Sequence, residues 1–135
     1  MNIYIFGNGN TSFADFKTYY ETVINRYVDN ADVNFLLCDF KGVDTLAMEV
    51  LKCTTPNVHI YHVGDKPRYL PDFFRTKVSN WTIVGGFGND ASRDAVAIEK
   101  CTHFIAIDFN SDAKRKSGTL KNMERCEVLG KIRLQ

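Results

Sequence analysis

Short apolar runs alternate with segments of helical spacing along the whole chain, and this alternation limits the possible folds more than any single motif does. "NIYIF" (2–6), "VNFLLCDF" (33–40) and "HFIAIDF" (103–109) are mostly apolar and "NVHIYHV" (57–63) is rich in β-branched and aromatic residues, the pattern of buried strands. In "SFADFKTYYETVINRYV" (12–28), Phe13, Phe16, Tyr20, Val23, Ile24 and Tyr27 fall on one helical face behind Ser12 as N-cap. "GVDTLAMEVLKC" (42–53), "ASRDAVAIEKC" (91–101) and "SGTLKNMERCEVLG" (117–130) read as further helices, the last with Gly130 as its C-cap, before a final strand "KIRLQ". Strands of this kind need cover on both sides. The order therefore predicts an α/β fold: a three-layer, Rossmann-like domain with a mainly parallel sheet of about five strands flanked by helices. Residues 64–90 are less regular. Pro67 and Pro71 interrupt them, a short helix is expected over 71–78, and Gly85, Gly86 and Gly88 read as a flexible turn.

The 135 residues suit one domain spanning 1–135. With 17 Lys and Arg against 16 Asp and Glu, the net charge of +1 supplies no global field for nucleic acid or an anionic membrane, so an anion site has to be local. The four cysteines form no CxxC pair and only three histidines accompany them, which gives a metal site little support. No cofactor is implied. The N-terminus lacks the basic region and long apolar core of a signal peptide, and no stretch approaches a membrane span. These features lead us to expect a cytoplasmic protein.

In open α/β sheets, ligands bind beyond the carboxyl ends of the strands. After the first strand, "GNGNTS" (7–12) offers glycines for close backbone approach. After the second, "DFKGVDTLA" (39–47) puts Asp44 in the first turn of a helix, where capping alone would explain a carboxylate. His62, Lys66 and Arg68 follow the third strand. Arg93 in "SRD" is placed either to grip a phosphate in bidentate fashion or to pair with Asp94 or another carboxylate. After the fourth strand come Asp108, a polar loop, and Ser117-Gly118-Thr119 opening a helix. There two backbone N–H groups, two hydroxyls and the helix dipole converge, although Ser117 is also a plain N-cap.

Taken in order, "KGVDTLAMEVLK", "SRDAVAIEKCTHFIAI" and "SGTLKNMERCEVLGK" resemble the Rossmann-like SLOG superfamily, especially its small YspA-like branch. The likeness covers most of the chain and is carried by the ordered set. It implies a nucleotide or nucleotide-derived small molecule held by Gly7, Asn8, Gly9, Gly42, Asp44, Arg93, Ser117, Gly118, Thr119 and Asn122. Some members of the superfamily are sensors in bacterial conflict systems. Others, such as the lysine-decarboxylase-like phosphoribohydrolases, cleave N-glycosidic bonds with the glutamate of a G-T-x-x-E motif. Here Asn122 stands where that glutamate would be, and an amide is neither a good nucleophile nor a general base. Glu124 and Glu127 lie about 200° and about 140° around the helix from it.

Two functions follow as expectations. The first is a sensor or sequestering protein that binds a nucleotide, for example a signalling derivative of ADP-ribose. The alternative is an N-glycosidase drawing a carboxylate from Asp44, Asp108 or Glu124. A third, weaker reading is an interaction module with a vestigial pocket. The chain has 10 Phe, 6 Tyr and 1 Trp, more aromatic residues than a small core easily buries. Tyr19, Tyr20, Tyr69, Phe73, Phe74 and Trp81 are therefore expected to line a ligand pocket or the interface of a homodimer or larger assembly.

Overall fold

A computed structural model describes residues 1–135. Six strands form a single sheet: β1 (Asn2–Ile5), β2 (Asn34–Cys38), β3 (Val58–Val63), β4 (Thr82–Phe87), β5 (His103–Ile105) and β6 (Ile132–Arg133). Their order is β4-β3-β2-β1-β5-β6, and every neighbouring pair is parallel. Helix α1 opens at Phe13–Phe16, passes through a π-helical segment at Lys17–Glu21 and closes at Thr22–Ile24. The other helices are α2 (Val43–Leu51), α3 (Asp90–Lys100) and α4 (Gly118–Val128).

Strand alternation sorts the core into two halves. Ile3, Ile5, Phe35, Leu37, Val58 and Ile60 point to one face, where Phe16, Tyr20 and Ile24 of α1 and Val43, Ala47 and Met48 of α2 cover them. Tyr4, Phe6, Leu36, Cys38, Tyr61 and Phe104 point to the other, beneath Ala97 and Ile98 of α3 and Met123 and Cys126 of α4. The three-layer α/β architecture expected from the sequence is present. No helix is long and apolar enough to cross a membrane.

From β1 the chain steps outward through β2 and β3 to β4. Helix α3 then carries it back across the sheet to β5, on the far side of β1. The strand order therefore reverses between β1 and β5, and the segments leaving their carboxyl ends diverge. Such a switch point opens a crevice.

Three expectations need correction. Gly85 and Gly86 belong to the edge strand β4, not to a turn. A side chain at Gly85 would overlap the His62 imidazole, and Gly86 has φ +87° where the β3–β4 register shifts, so both glycines serve a bulge. The helix expected over 71–78 is replaced by turns and a short 3-10 segment at Val78–Asn80. The strand expected over 103–109 ends at Ile105, which leaves Asp108 and Phe109 in a loop.

The π segment of α1 has a use at the switch point. It holds the buried Tyr20 so that its hydroxyl donates to the Phe6 carbonyl (2.9 Å) and accepts from the Ile107 N–H (2.9 Å), tying together the chain leaving β1 and the chain leaving β5. Gly7 is glycine because a side chain there would collide with Tyr20 and Val43.

Candidate functional site

A cleft of about 650 Å³ lies over the carboxyl ends of β1 and β2 and beside the start of α4. Gly7, Asn8, Gly9, Asp44, Arg93, Ser117, Gly118, Thr119 and Asn122 all line it, so most of the residues singled out in the sequence come together. Gly42 does not line it. Its φ of +83° and its approach to the Asn8 carbonyl, 2.6 Å from where a Cβ would sit, make it a packing glycine that seats α2 against the first turn.

One side of the cleft is an ion network. The Arg93 guanidinium, 4% exposed, donates to Asp39 (2.7 Å) and to Asp94 through both Nε and Nη2 (3.1 and 2.9 Å), and pairs with Asp90 at 3.1 Å. Of the two roles open to Arg93, the structure assigns the pairing with carboxylates. Arg68 reaches Asp39 from its backbone N–H, Nε and Nη2, and Asp90 from Nη2. Burial pushes the Asp39 carboxyl up, but the hydrogen bonds from Arg68 and Arg93 outweigh it and hold the group below its usual range. Asn122 donates from Nδ2 to Asp94 Oδ2 (3.1 Å), and the Cys38 thiol donates to Asp94 Oδ1 (3.5 Å).

Asp44 belongs to the same side but is bonded differently. Oδ2 accepts from the Phe40 N–H (2.9 Å), whereas Oδ1 has no donor within the protein. Burial, with only 5% of the residue exposed, raises its pKa to about 7. The Phe40 hydrogen bond and Arg93 pull it down, and Asp94 and Asp39 push it further up. This carboxyl exchanges its proton near neutrality.

The opposite side is built from backbone. Asn8 is its hub: Nδ2 donates to Asp108 (3.0 Å) and to the Thr119 hydroxyl (3.3 Å), while Oδ1 accepts from the Phe109 N–H (2.8 Å). Ser117 caps α4 by accepting from the Leu120 N–H (3.0 Å) and donates its proton to Asp108 (2.7 Å), so it has no proton left to donate to a ligand. Desolvation pushes the Asp108 carboxyl up, but hydrogen bonds from Ser111, Asn8 and Ser117 prevail and hold it well below the usual carboxylate range. Asp108 thus sits behind the cleft and locks the first turn to the start of α4. Unlike these side chains, the amides of Gly118 and Thr119, and those of Gly7 through Asn10, have no acceptor within the protein. The first-turn amides of a helix normally need one.

Of the three carboxylates considered for catalysis, only Asp44 faces the cleft. Glu124 is paired with Lys116 on the exposed side of α4 (3.0 Å). Among the aromatic candidates, Tyr20 and Trp81 are in the core, with the Trp81 indole N–H donating to the Thr55 carbonyl (2.9 Å), and Tyr69 bonds Glu49 (2.7 Å). Tyr19, Phe73 and Phe74 are exposed away from the cleft. His62 packs against Gly85, and neither it nor Lys66 lines the cleft.

Tyr4, Phe6, Cys38, Phe40, Asp90, Asp94, Asn110 and Arg115 also line the cleft and were not singled out in the sequence. Tyr4, Phe6 and Cys38 read as core because their positions are strand positions. Asp94 had a usable signal in its place beside Arg93, and Arg115 in its place two residues before the Ser-Gly-Thr turn.

The fold and cleft together define an α/β domain with a polar crevice at a topological switch point. Comparison of the chain with protein-family models, with curated proteins and with solved structures gave no match.

Proposed function

We propose that the cleft binds a nucleotide or nucleotide-derived small molecule, and that the chain acts as a sensor or sequestering protein of the SLOG kind. The observation that carries this reading is the pair of amide-rich turns, Gly7–Asn10 and Gly118–Thr119. They flank one crevice, and their N–H groups lack acceptors in the protein. Backbone donors at the start of an eleven-residue helix suit a phosphate. The volume suits a mononucleotide or a somewhat larger derivative. Asp44 Oδ1 is then the acceptor for a ribose hydroxyl or a base amino group.

The test is to incubate the purified protein with AMP, ADP-ribose, NAD and cyclic nucleotides, remove unbound material, denature, and identify what is released by mass spectrometry. A ligand returned intact supports the binding reading. No ligand returned from any member of the panel counts against it.

A second reading, cleavage of an N-glycosidic bond, is favoured by one observation: a buried carboxyl in the cleft with its pKa near 7 suits proton transfer. It predicts base and sugar phosphate as products, and loss of turnover in Asp44→Asn. A homodimer is a further proposal, resting on exposed apolar side chains such as Phe13, Phe73 and Phe74. A gel-filtration mass equal to the monomer would sink it.

A further inference from the structure

The cleft is lined by two arginines, and their situations differ. Arg93 is buried and wholly engaged by aspartates. Arg115 is exposed, lines the same cleft, and its side chain forms no salt bridge or hydrogen bond. Its backbone, by contrast, is fixed. Asp112 Oδ1 accepts from the N–H groups of Lys114 (2.7 Å) and Arg115 (2.9 Å), the Asp112 N–H donates to the Arg115 carbonyl (3.0 Å), and the Ser111 hydroxyl accepts from the Ser117 N–H (2.9 Å). The loop is pinned at both ends, and Arg115 lines the cleft from it.

Two buried groups lining the cleft also have bonding capacity left over. Thr119, 8% exposed, accepts from Asn8 but donates its own hydroxyl proton to nothing in the protein. Across the cleft, Asp44 Oδ1 has no donor. The charges around it are three aspartates (Asp39, Asp90 and Asp94) against two arginines (Arg68 and Arg93), a surplus of negative charge even before Asp44 ionises. A phosphoryl group is repelled there and attracted only to the other side.

We propose that Arg115 is the specificity-determining residue of the cleft. Its guanidinium completes an anion subsite with the amides of Gly118 and Thr119 and the Thr119 hydroxyl, and this sets the ligand's orientation with its uncharged, donor-bearing part toward Asp44. This inference rests on the nucleotide reading and deepens it. A planar guanidinium reads a phosphoryl oxygen pair in a way a lysine ammonium does not. Selection therefore falls on phosphorylated ligands over the same nucleoside without phosphate.

Calorimetric titration of AMP and adenosine into wild type, Arg115→Ala and Arg115→Lys, at low salt, tests it. Because Arg115 is exposed and makes no side-chain bond, its variants should melt with wild type. The expected result is at least a tenfold loss of AMP affinity in Arg115→Ala, with adenosine affinity unchanged and Arg115→Lys recovering only part of the loss. If wild type binds AMP but Arg115→Ala binds it equally well, the inference is overturned and the nucleotide reading stands. If AMP binding to wild type cannot be detected, ADP-ribose replaces it as the probe with the same criterion. If no nucleotide binds wild type, both fall together.

Discussion

The two sides of the cleft spend their hydrogen bonds in opposite ways. On the side formed by the end of β2 with α2 and α3, charged side chains satisfy one another: Arg93 alone engages Asp39, Asp90 and Asp94, and Asn122 closes the cluster from α4. On the side formed by the β1 turn and the start of α4, side chains are also committed inward, through Asn8, Asp108 and Ser117, but the backbone they hold in place is left with free donors. Charged residues draw the eye in a sequence, yet here the most conspicuous of them serves the fold. The donors left without a protein acceptor are backbone amides, those of Gly7 through Asn10 and of Gly118 and Thr119.

This contrast can be broken first at Arg93. Arg93→Ala takes the buried guanidinium from Asp94 and leaves Asp39 with Arg68 as its only cation, and we expect a loss of about 3 kcal/mol in urea denaturation. A loss below about 1 kcal/mol would show that the cluster is not structurally important.

Asp44→Asn comes next and is read through pH. The folded carboxyl holds its proton up to about pH 7, while the unfolded one releases it near pH 4. As pH rises between those values the unfolded state is favoured, by at most about 1.4 kcal/mol per pH unit from this group. Wild type should therefore lose stability from about pH 4 to about pH 7 relative to Asp44→Asn, and the two curves should run parallel outside that window. A constant difference across the range would contradict the assignment.

Asn122→Glu sharpens the comparison at a smaller scale. Asn122 donates to Asp94, so a glutamate there removes a donor and sets two carboxylates together. We expect a cost of about 1–3 kcal/mol and no gain of cleavage activity. The smallest effect is expected for Glu124→Gln, which loses only an exposed pair with Lys116. Its stability should stay within about 0.5 kcal/mol of wild type and its ligand affinity should not change.

The sheet was legible because β1 and β2 are mostly apolar and β3 is rich in β-branched and aromatic residues, each bounded by turn residues. Strand β4 was not, because its glycines are placed by the His62 ring, a tertiary contact that local pattern cannot reveal. The neighbourhood of the site was legible through the strand-end rule, and most residues singled out by position do line the cleft. Their roles were less accessible. Whether Arg93 faces a phosphate or an aspartate depends on Asp39, 54 residues away. Likewise the place of Asp108 behind the cleft depends on its hydrogen bonds from Asn8, 100 residues away, and from Ser117.

The central claim is that free backbone amides at the start of α4 grip an anion, and Gly118→Pro tests it most directly. Proline is well tolerated at the first position of a helix, Ser117 before it is already extended (φ −70°, ψ 163°), and a Cβ at Gly118 meets nothing within 4 Å. The substitution therefore removes one N–H donor and little else. We expect an unchanged melting temperature and a roughly tenfold or greater loss of nucleotide affinity in calorimetric titration, the order expected for a hydrogen bond to a charged group. Wild-type affinity in Gly118→Pro would contradict it.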